Sequence, residues 1–340
     1  MSDVAGRWQL LDEATRWAAA VGESHFKAPL LARISVLRQD DTPEFAAQEA
    51  KGAVALAAGI EDPYARSFVL SEVSKGLAPT DPANAASAAR AALRIAKTVV
   101  DLRSRTIALA EAAGALGVVD RERARRALAE AELLADSTCS CRRRCLPAAV
   151  LERVAELDPE EALQKADRIP DPALRGIVLS RAIPRLAASD PQRAVGLVER
   201  VPELHEQIST WVGLCAELVD AFPELAVRAA ENAAGNARFS HNGLVQLNAL
   251  ASVARSVHRV DSALAGELLT AAETVFGQVE PSHSRSLAAA GLARAQARFD
   301  ADLASKTARQ IVHPHPRAHA FVLLAEDVKT SVRQQRPGEL

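Results

Sequence analysis

Two triplets of metal-ligating residues share one spacing. Cys139, Cys141 and Cys145 read C-x-C-x3-C, and His313, His315 and His319 read H-x-H-x3-H. Thiolates or imidazoles converging tetrahedrally hold zinc, whose usual sequence sign is a paired CxxC. Neither triplet has that sign. Arg142, Arg143 and Arg144 stand beside the thiols, and cationic neighbours lower a thiol pKa and raise its reactivity. Each triplet is thus a weak metal candidate set against a plainer reading, a turn whose capping residues have been replaced. For the cysteines, redox reactivity is a third reading. No metal or cofactor is assigned on either.

A third set is basic. Lys27, Arg66, Arg105, Arg144, Arg175, Arg285 and Arg317 recur near the starts of helical segments, and Gln207 and Gln246 interrupt the series. One reading is local: Asp62/Arg66, Asp101/Arg105 and Asp171/Arg175 are i,i+4 pairs able to bridge within a turn. The other is a basic ladder along one surface, suited to an acidic peptide, a carboxylate or a phosphate backbone. Enzymatic signals are missing: no GxGxxG, P-loop, HExxH or GxSxG occurs. Ser24-His-Phe-Lys27 matches SxxK, but Ser24 reads better as a helix cap, and Glu160 and Glu161 fall where the helix dipole favours acids. Whether the chain is an enzyme stays open, with the balance against it.

The elements that position these residues come from an internal repeat. Asp81-Pro-Ala-Asn-Ala85, Asp120-Arg-Glu-Arg-Ala124, Asp158-Pro-Glu-Glu-Ala162 and Asp190-Pro-Gln-Arg-Ala194 are one phrase, with weaker copies at 42, 222, 261 and 300. The steps between these eight anchors are 39, 39, 38, 32, 32, 39 and 39, and Ala stands four residues after every one. An Asp N-cap followed by Pro, as at Pro82, Pro159 and Pro191, starts a helix. About fifteen residues upstream lies another helix with its own apolar stripe, such as Leu247, Leu250, Val253 and Val257. The unit is helix A, turn, helix B, and the longer units add about two helical turns without rotating the apolar face.

The anchor Asp, the Ala four residues on, a small or apolar residue seven further (Ala53, Ala92, Ala131, Ile169, Val201, Ala233, Ala272, Ile311) and the Asp-Pro junctions resemble the tetratricopeptide (TPR) pattern. The Trp, Gly and Tyr signature of helix A is not filled, and HEAT-like arrays are the neighbouring resemblance. What the resemblance implies is an all-α, right-handed α-solenoid of about eight helix-turn-helix repeats with helix A lining a concave groove. The expected layout is one domain over 1–332: a cap helix at 3–21, repeats over about 25–312, and a final unpaired helix at 316–331 before a flexible tail at 333–340. Pro184 is expected to kink its helix, and Trp211 and Phe222 to lie in the core.

Composition agrees with that class. Of 340 residues 71 are Ala, 49% are apolar and 4% aromatic, which excludes disorder, collagen and a disulfide scaffold. Charges interrupt every apolar stretch, so no membrane span is expected, and the opening residues lack the apolar core of a signal peptide. Reduced thiols in a cytoplasm follow as the expectation. Net charge is only −2, yet the helix A segments hold 20 Lys+Arg against 9 Asp+Glu while the remainder holds 21 against 34. The expected function is a protein- or peptide-binding scaffold whose basic groove takes an acidic segment. The alternatives are a nucleic-acid-binding repeat protein and an enzyme or accessory subunit. A homodimer through Ala-rich faces is a further open reading.

Overall fold

The computed structural model describes residues 2–138, 148–280 and 282–335, and among them every regular element is a helix. Nine A-type helices are α2 (Ser24–Arg38), α4 (Pro63–Leu77), α6 (Leu102–Gly117), α8 (Ala148–Leu157), α10 (Pro172–Leu186), α12 (Leu204–Leu218), α14 (Gly243–Val257), α16 (His283–Gln296) and α18 (Pro314–Gln335). The B-type helices between them are α3 (Pro43–Ala58), α5 (Pro82–Ala96), α7 (Arg121–Thr138), α9 (Pro159–Ala166), α11 (Pro191–Leu197), α13 (Pro223–Ala237), α15 (Ser262–Gln278) and α17 (Ala301–Gln310). Ahead of them runs α1 (Ser2–Ala20).

All eight anchors stand immediately before a B helix. The Asp81, Asp158, Asp190 and Asp261 carboxylates accept the backbone N–H three residues on, which satisfies an orphan donor of the first turn. Thr42 and Phe222 make no such side-chain bond; there the following Pro43 and Pro223 set the start. The backbone N–H of each anchor also donates to the carbonyl four residues back, as Asp120 to Leu116 at 2.6 Å and Asp261 to Val257 at 2.8 Å, closing the turn between A and B. The Ala four residues past the anchor is buried in every repeat, from Ala46 to Ala304. Methyl-sized side chains there let neighbouring helices approach closely, which is why a core can be built from Ala, Leu and Val with so few aromatics.

The period varies for a specific reason. Helices α4, α10, α12 and α14 all have 15 residues, whereas the B helices run from 18 residues in α7 and 16 in α3 down to 8 in α9 and 7 in α11. The missing turns come out of B, so α10 and α12 beside the short α9 and α11 keep the 15 residues of α4 and α14. This corrects one register. Ala53, Ala92 and Ala233 lie inside B helices, but Ile169, Val201 and Ile311 lie beyond the ends of theirs, in the turn to the next A helix. They are the counterparts of Ile60 and Val99, not of the alanines. Val201, Ile311 and Ile169 are all buried there.

The chain divides into two compact units, one of residues 1–153 with 308–340 and one of residues 154–307. In the first, α2 packs on α3, α4 on α5 and α6 on α7, and α2, α4 and α6 follow one another side by side. The final helix is not unpaired: α18 packs along α1 and also against α2. Its Arg317 guanidinium lies 4.0 Å over the Trp17 ring, Arg33 of α2 bonds Glu326 at 2.5 and 3.0 Å, and Lys329 bonds Asp40 and the Val36 carbonyl, each at 2.9 Å. Thus α1 serves α18 as a B helix would. In the second unit, α10, α12, α14 and α16 follow side by side, with α13 and α15 covering α12 and α14. Pro184 sits two residues before the end of α10, buried against Gly213 of α12, where a Cβ would come within 2.7 Å of its ring.

Candidate functional site

The basic series does something neither sequence reading anticipated. Arg105 Nε donates to the Val99 carbonyl at 2.6 Å and Arg175 Nη1 to the Ile169 carbonyl at 3.2 Å; Arg66 and Arg317 bond the Ile60 and Ile311 carbonyls in the same way. Gln207 Nε2 reaches the Val201 carbonyl at 2.7 Å and Gln246 Nε2 the Ser240 carbonyl at 2.6 Å. In all six the acceptor lies six residues upstream, in the turn that leaves helix B. The required property is a long N–H donor, not a charge, so the two Gln continue the series they seemed to break. Carbonyls at a helix exit lack intrahelical partners, and the next helix supplies one. Meanwhile Asp62, Asp101 and Asp171 accept backbone N–H bonds from Ala65, Ser104 and Ala173 as N-caps. Lys27 follows the pattern loosely, donating to the Ala19 carbonyl at 3.3 Å, and Arg285 lies 4.4 Å over the Phe276 ring. Arg144 lies outside the described residues.

What helix A offers to solvent is a different set of positions, beginning two residues after the series. Along α14 and the turn after it these are Asn248, Ser252, Arg255 and Arg259, along α16 and its turn Leu287, Gly291, Arg294 and Arg298, and along α4 and its turn Phe68, Glu72, Lys75 and Pro79. In the first unit these side chains form a cleft of about 330 Å³ between α2, α4 and α18, with Pro29, Val36, Leu37 and Pro79 as its apolar lining. Its charges are matched: Arg33 with Glu326, and Lys75 between Glu72 at 2.8 Å and Glu111 at 3.3 Å. Arg153 stands 3.5 Å from the other oxygen of Glu111. In the second unit Glu217 and Asp220, of α12 and the turn after it, pair with Arg185 at 3.4 Å and Arg259 at 2.9 Å. The basic surplus of the A helices is greatest on α2 and α10, each with three Lys or Arg and no Asp or Glu.

Aromatic placement inverts the usual order. Phe26, Phe45, Phe68, Phe222, Phe239 and Phe299 are each at least 39% exposed, and only Phe321 among the eight is fully buried. Phe222, expected in the core, is 40% exposed because it occupies an N-cap slot at the surface; Trp211 is half-buried. Phe299 holds the His258 ring edge-on at 4.4 Å, and burial together with the Arg298 charge pushes the His258 pKa down. The Nδ1 atom of His258 is buried without a hydrogen-bond partner.

The metal candidates are placed as follows. Cys139, Cys141 and Cys145 lie outside the described residues. His315 stacks parallel to His319 at 6.4 Å and tilts on Phe26 at 4.6 Å; among the described residues no three ligating side chains converge on a metal position. Cys215 is fully buried in α12, and burial pushes its thiol up to about 12, a value that keeps it protonated and inert.

One buried carboxylate stands out. Arg38 of α2 donates to Asp12 at 3.1 Å and Thr15 at 3.0 Å in α1, and its Nε lies 3.6 Å from Glu49 of α3. Burial raises the Glu49 pKa to about 7, against the lowering effect of Arg38. The folded chain thus holds this proton more tightly than the unfolded chain does. The penalty is full above pH about 7 and is relieved as pH falls toward 4.5, by at most about 3 kcal/mol. Urea denaturation at pH 5 and pH 8.5 is expected to show wild type losing stability relative to Glu49→Gln at the higher pH, with the gap closing at the lower. A gap independent of pH would show that Glu49 titrates normally.

Comparison with known proteins adds little. No family model matches the chain, and no curated protein matches it. Among solved structures, Ton1535 from Thermococcus onnurineus NA1 is similar at 13% identity and a TM-score of 0.39, over 95% of this chain and 99% of that one. A likeness at that level carries no argument about function. No described helix is long and apolar enough to cross a membrane.

Proposed function

We propose that the chain is a TPR-like helical-repeat scaffold that holds a polypeptide partner against the open faces of its A helices. The observation that carries this reading is the side-by-side order of those helices. B helices shorten to 8 residues in α9 and 7 in α11 while α10 and α12 keep 15, and the A helices keep their side-by-side order within each unit. A surface held constant while its support varies is the one available for recognition. The reading draws further support from the open cleft on that face in the first unit and from the surface phenylalanines. The absence of catalytic motifs favours binding over chemistry, and neutral overall charge with few stacking aromatics disfavours nucleic acid as the principal ligand.

The test is capture of the tagged chain from its native lysate, with and without nuclease, followed by cross-linking of whatever is retained. The expected result is a nuclease-resistant protein partner at stoichiometric yield, cross-linked to A-helix residues such as Lys75. Cross-links confined to B helices, or capture that collapses with nuclease, would overturn the proposal.

A further inference from the structure

We propose that the groove between α3 and α5 of the first unit is a docking site for an amphipathic helix of a partner protein. Apolar residues of that helix enter the groove, and acidic residues on its flanks meet the rims. The site lies on B helices, so it goes beyond the reading that A helices hold a polypeptide and stands or falls without it.

The groove follows from how the helices are spaced. Helices α3 and α5 each pack on α4, and between them a groove of about 170 Å³ stays open. Val54 and Ala58 of α3 form one wall, Ser87, Ala91 and Ile95 of α5 the other, and Leu70 of α4 lies buried at the floor. Short side chains at Ala58, Ser87 and Ala91 leave the room for those of another molecule. The α5 wall also has helical spacing. Its residues follow at four-residue steps, so the wall is about 12 Å long. A helix laid along it offers residues i, i+4 and i+7 over about 10 Å, a length that the wall accommodates.

The rims decide what accompanies those apolar residues. Arg90 and Arg94 stand one turn from Ser87 and Ala91 on α5, and Lys51 stands one turn before Val54 on α3. All three are exposed, and among the described residues no carboxylate pairs with any of them. Other cations on α5, α7 and the turn between them are matched: Lys97 by Glu130 at 2.6 Å, Arg123 by Asp120 at 3.2 Å and Arg126 by Glu122 at 3.0 Å. Helix α5 contains no Asp or Glu, and on α3 Glu49 lies at Arg38 while Glu44 is two turns, about 10 Å, from Lys51. Arg66 also lines the groove, but it is committed to the Ile60 and Glu61 carbonyls and is not counted. Unmet positive charge thus borders an apolar channel on both sides. Its complement is a helix whose apolar stripe has acids to either side.

Other anionic ligands fit less well. No residue lining the groove is aromatic, so the bases of a nucleic acid find no stacking platform. The apolar part is recessed between two helices, whereas insertion into a bilayer surface needs apolar groups that protrude.

The experiment uses the full chain and a labelled helical peptide with Leu at i, i+4 and i+7 and Glu on both flanks of that stripe. Two counterparts replace every Glu by Gln or every Leu by Ser. Fluorescence anisotropy is expected to show the first peptide binding about tenfold more tightly than the Gln counterpart, the scale of three exposed ion pairs. The Ser counterpart is expected not to bind. The preference falls to about twofold in Arg90→Gln/Arg94→Gln and vanishes when Lys51→Gln is added. Ser87→Phe, which fills the groove, abolishes binding of both Leu peptides, and Lys97→Gln, outside the groove, retains the preference. The substituted residues are exposed, and circular dichroism establishes that each variant is folded. Equal binding of the Glu and Gln peptides, an undiminished preference in the triple variant, or unchanged binding in Ser87→Phe would each overturn the assignment. Stronger competition by an oligouridylate or by phosphatidylglycerol vesicles than by unlabelled peptide would overturn it too, giving this face to a polyanion.

Discussion

Replacing Arg66, Arg105 and Arg175 together by Leu is expected to destabilise the fold by about 3–5 kcal/mol, while replacing the same three by Gln leaves stability within about 1 kcal/mol of wild type. The difference follows from what each side chain does. Leu fills similar volume but leaves the Ile60, Val99 and Ile169 carbonyls without their donors, and an orphaned, largely desolvated carbonyl costs about 1–3 kcal/mol. These bonds are only part-buried, so the lower half of that range applies. Gln restores the donor, as Gln207 and Gln246 do in their own repeats. Thermal melts followed by circular dichroism separate the outcomes, with the Leu variant falling by about 5–10 °C. Equal loss in both series would mean that charge, not donation, is what the positions require.

Phe321→Ala is expected to cost about 3–5 kcal/mol, the largest effect of any single side chain considered. Phe321 is fully buried in α18, in a protein whose described core is built mainly of Ala, Val and Leu. Small neighbours have little side chain with which to fill the space a lost ring leaves, so the cavity persists. Because α18 is held by α1 and α2, local release of this helix is the expected failure, visible as faster proteolysis within 314–335 before global unfolding. The control is Phe45→Ala, at a site 57% exposed, for which a change of under about 0.5 kcal/mol is expected. If both variants behave alike, burial of the ring is not what anchors the helix.

The parts of the fold that were legible in the sequence are those whose chemistry is local. An Asp cap, a Pro and an Ala one turn later lie within five residues, so all eight B-helix starts could be placed from the phrase around residue 81 and its copies. The carbonyl clamps were not legible, because the donor and acceptor straddle a turn and the feature they share, an N–H on a long side chain, unites Arg with Gln across a change of charge. Ile169, Val201 and Ile311 were aligned with alanines for a related reason: a B helix shorter by two turns brings a turn residue to the same offset from the anchor. The pairing of α18 with α1 joins segments about three hundred residues apart, and no periodicity encodes it. For the candidate surface, the excess of basic residues on A helices was visible as a count, 20 against 9. Its distribution was not, since a count does not tell an arginine committed to a carbonyl, such as Arg105, from one paired with a carboxylate, such as Arg33.

The contacts Arg33–Glu326 and Lys329–Val36 each join residues 293 positions apart. A growing chain releases α1 and α2 well before α18, and must carry the faces they turn toward it uncovered until α18 has been made. Closing so long a loop costs about 3 kcal/mol more in chain entropy than closing a ten-residue turn. The A–B pairs can form one after another as they emerge, but this contact waits for α18. Maturation of the first unit therefore trails its own early helices by nearly three hundred residues of synthesis, and in that interval the nascent protein is most exposed to proteases and in greatest need of chaperones.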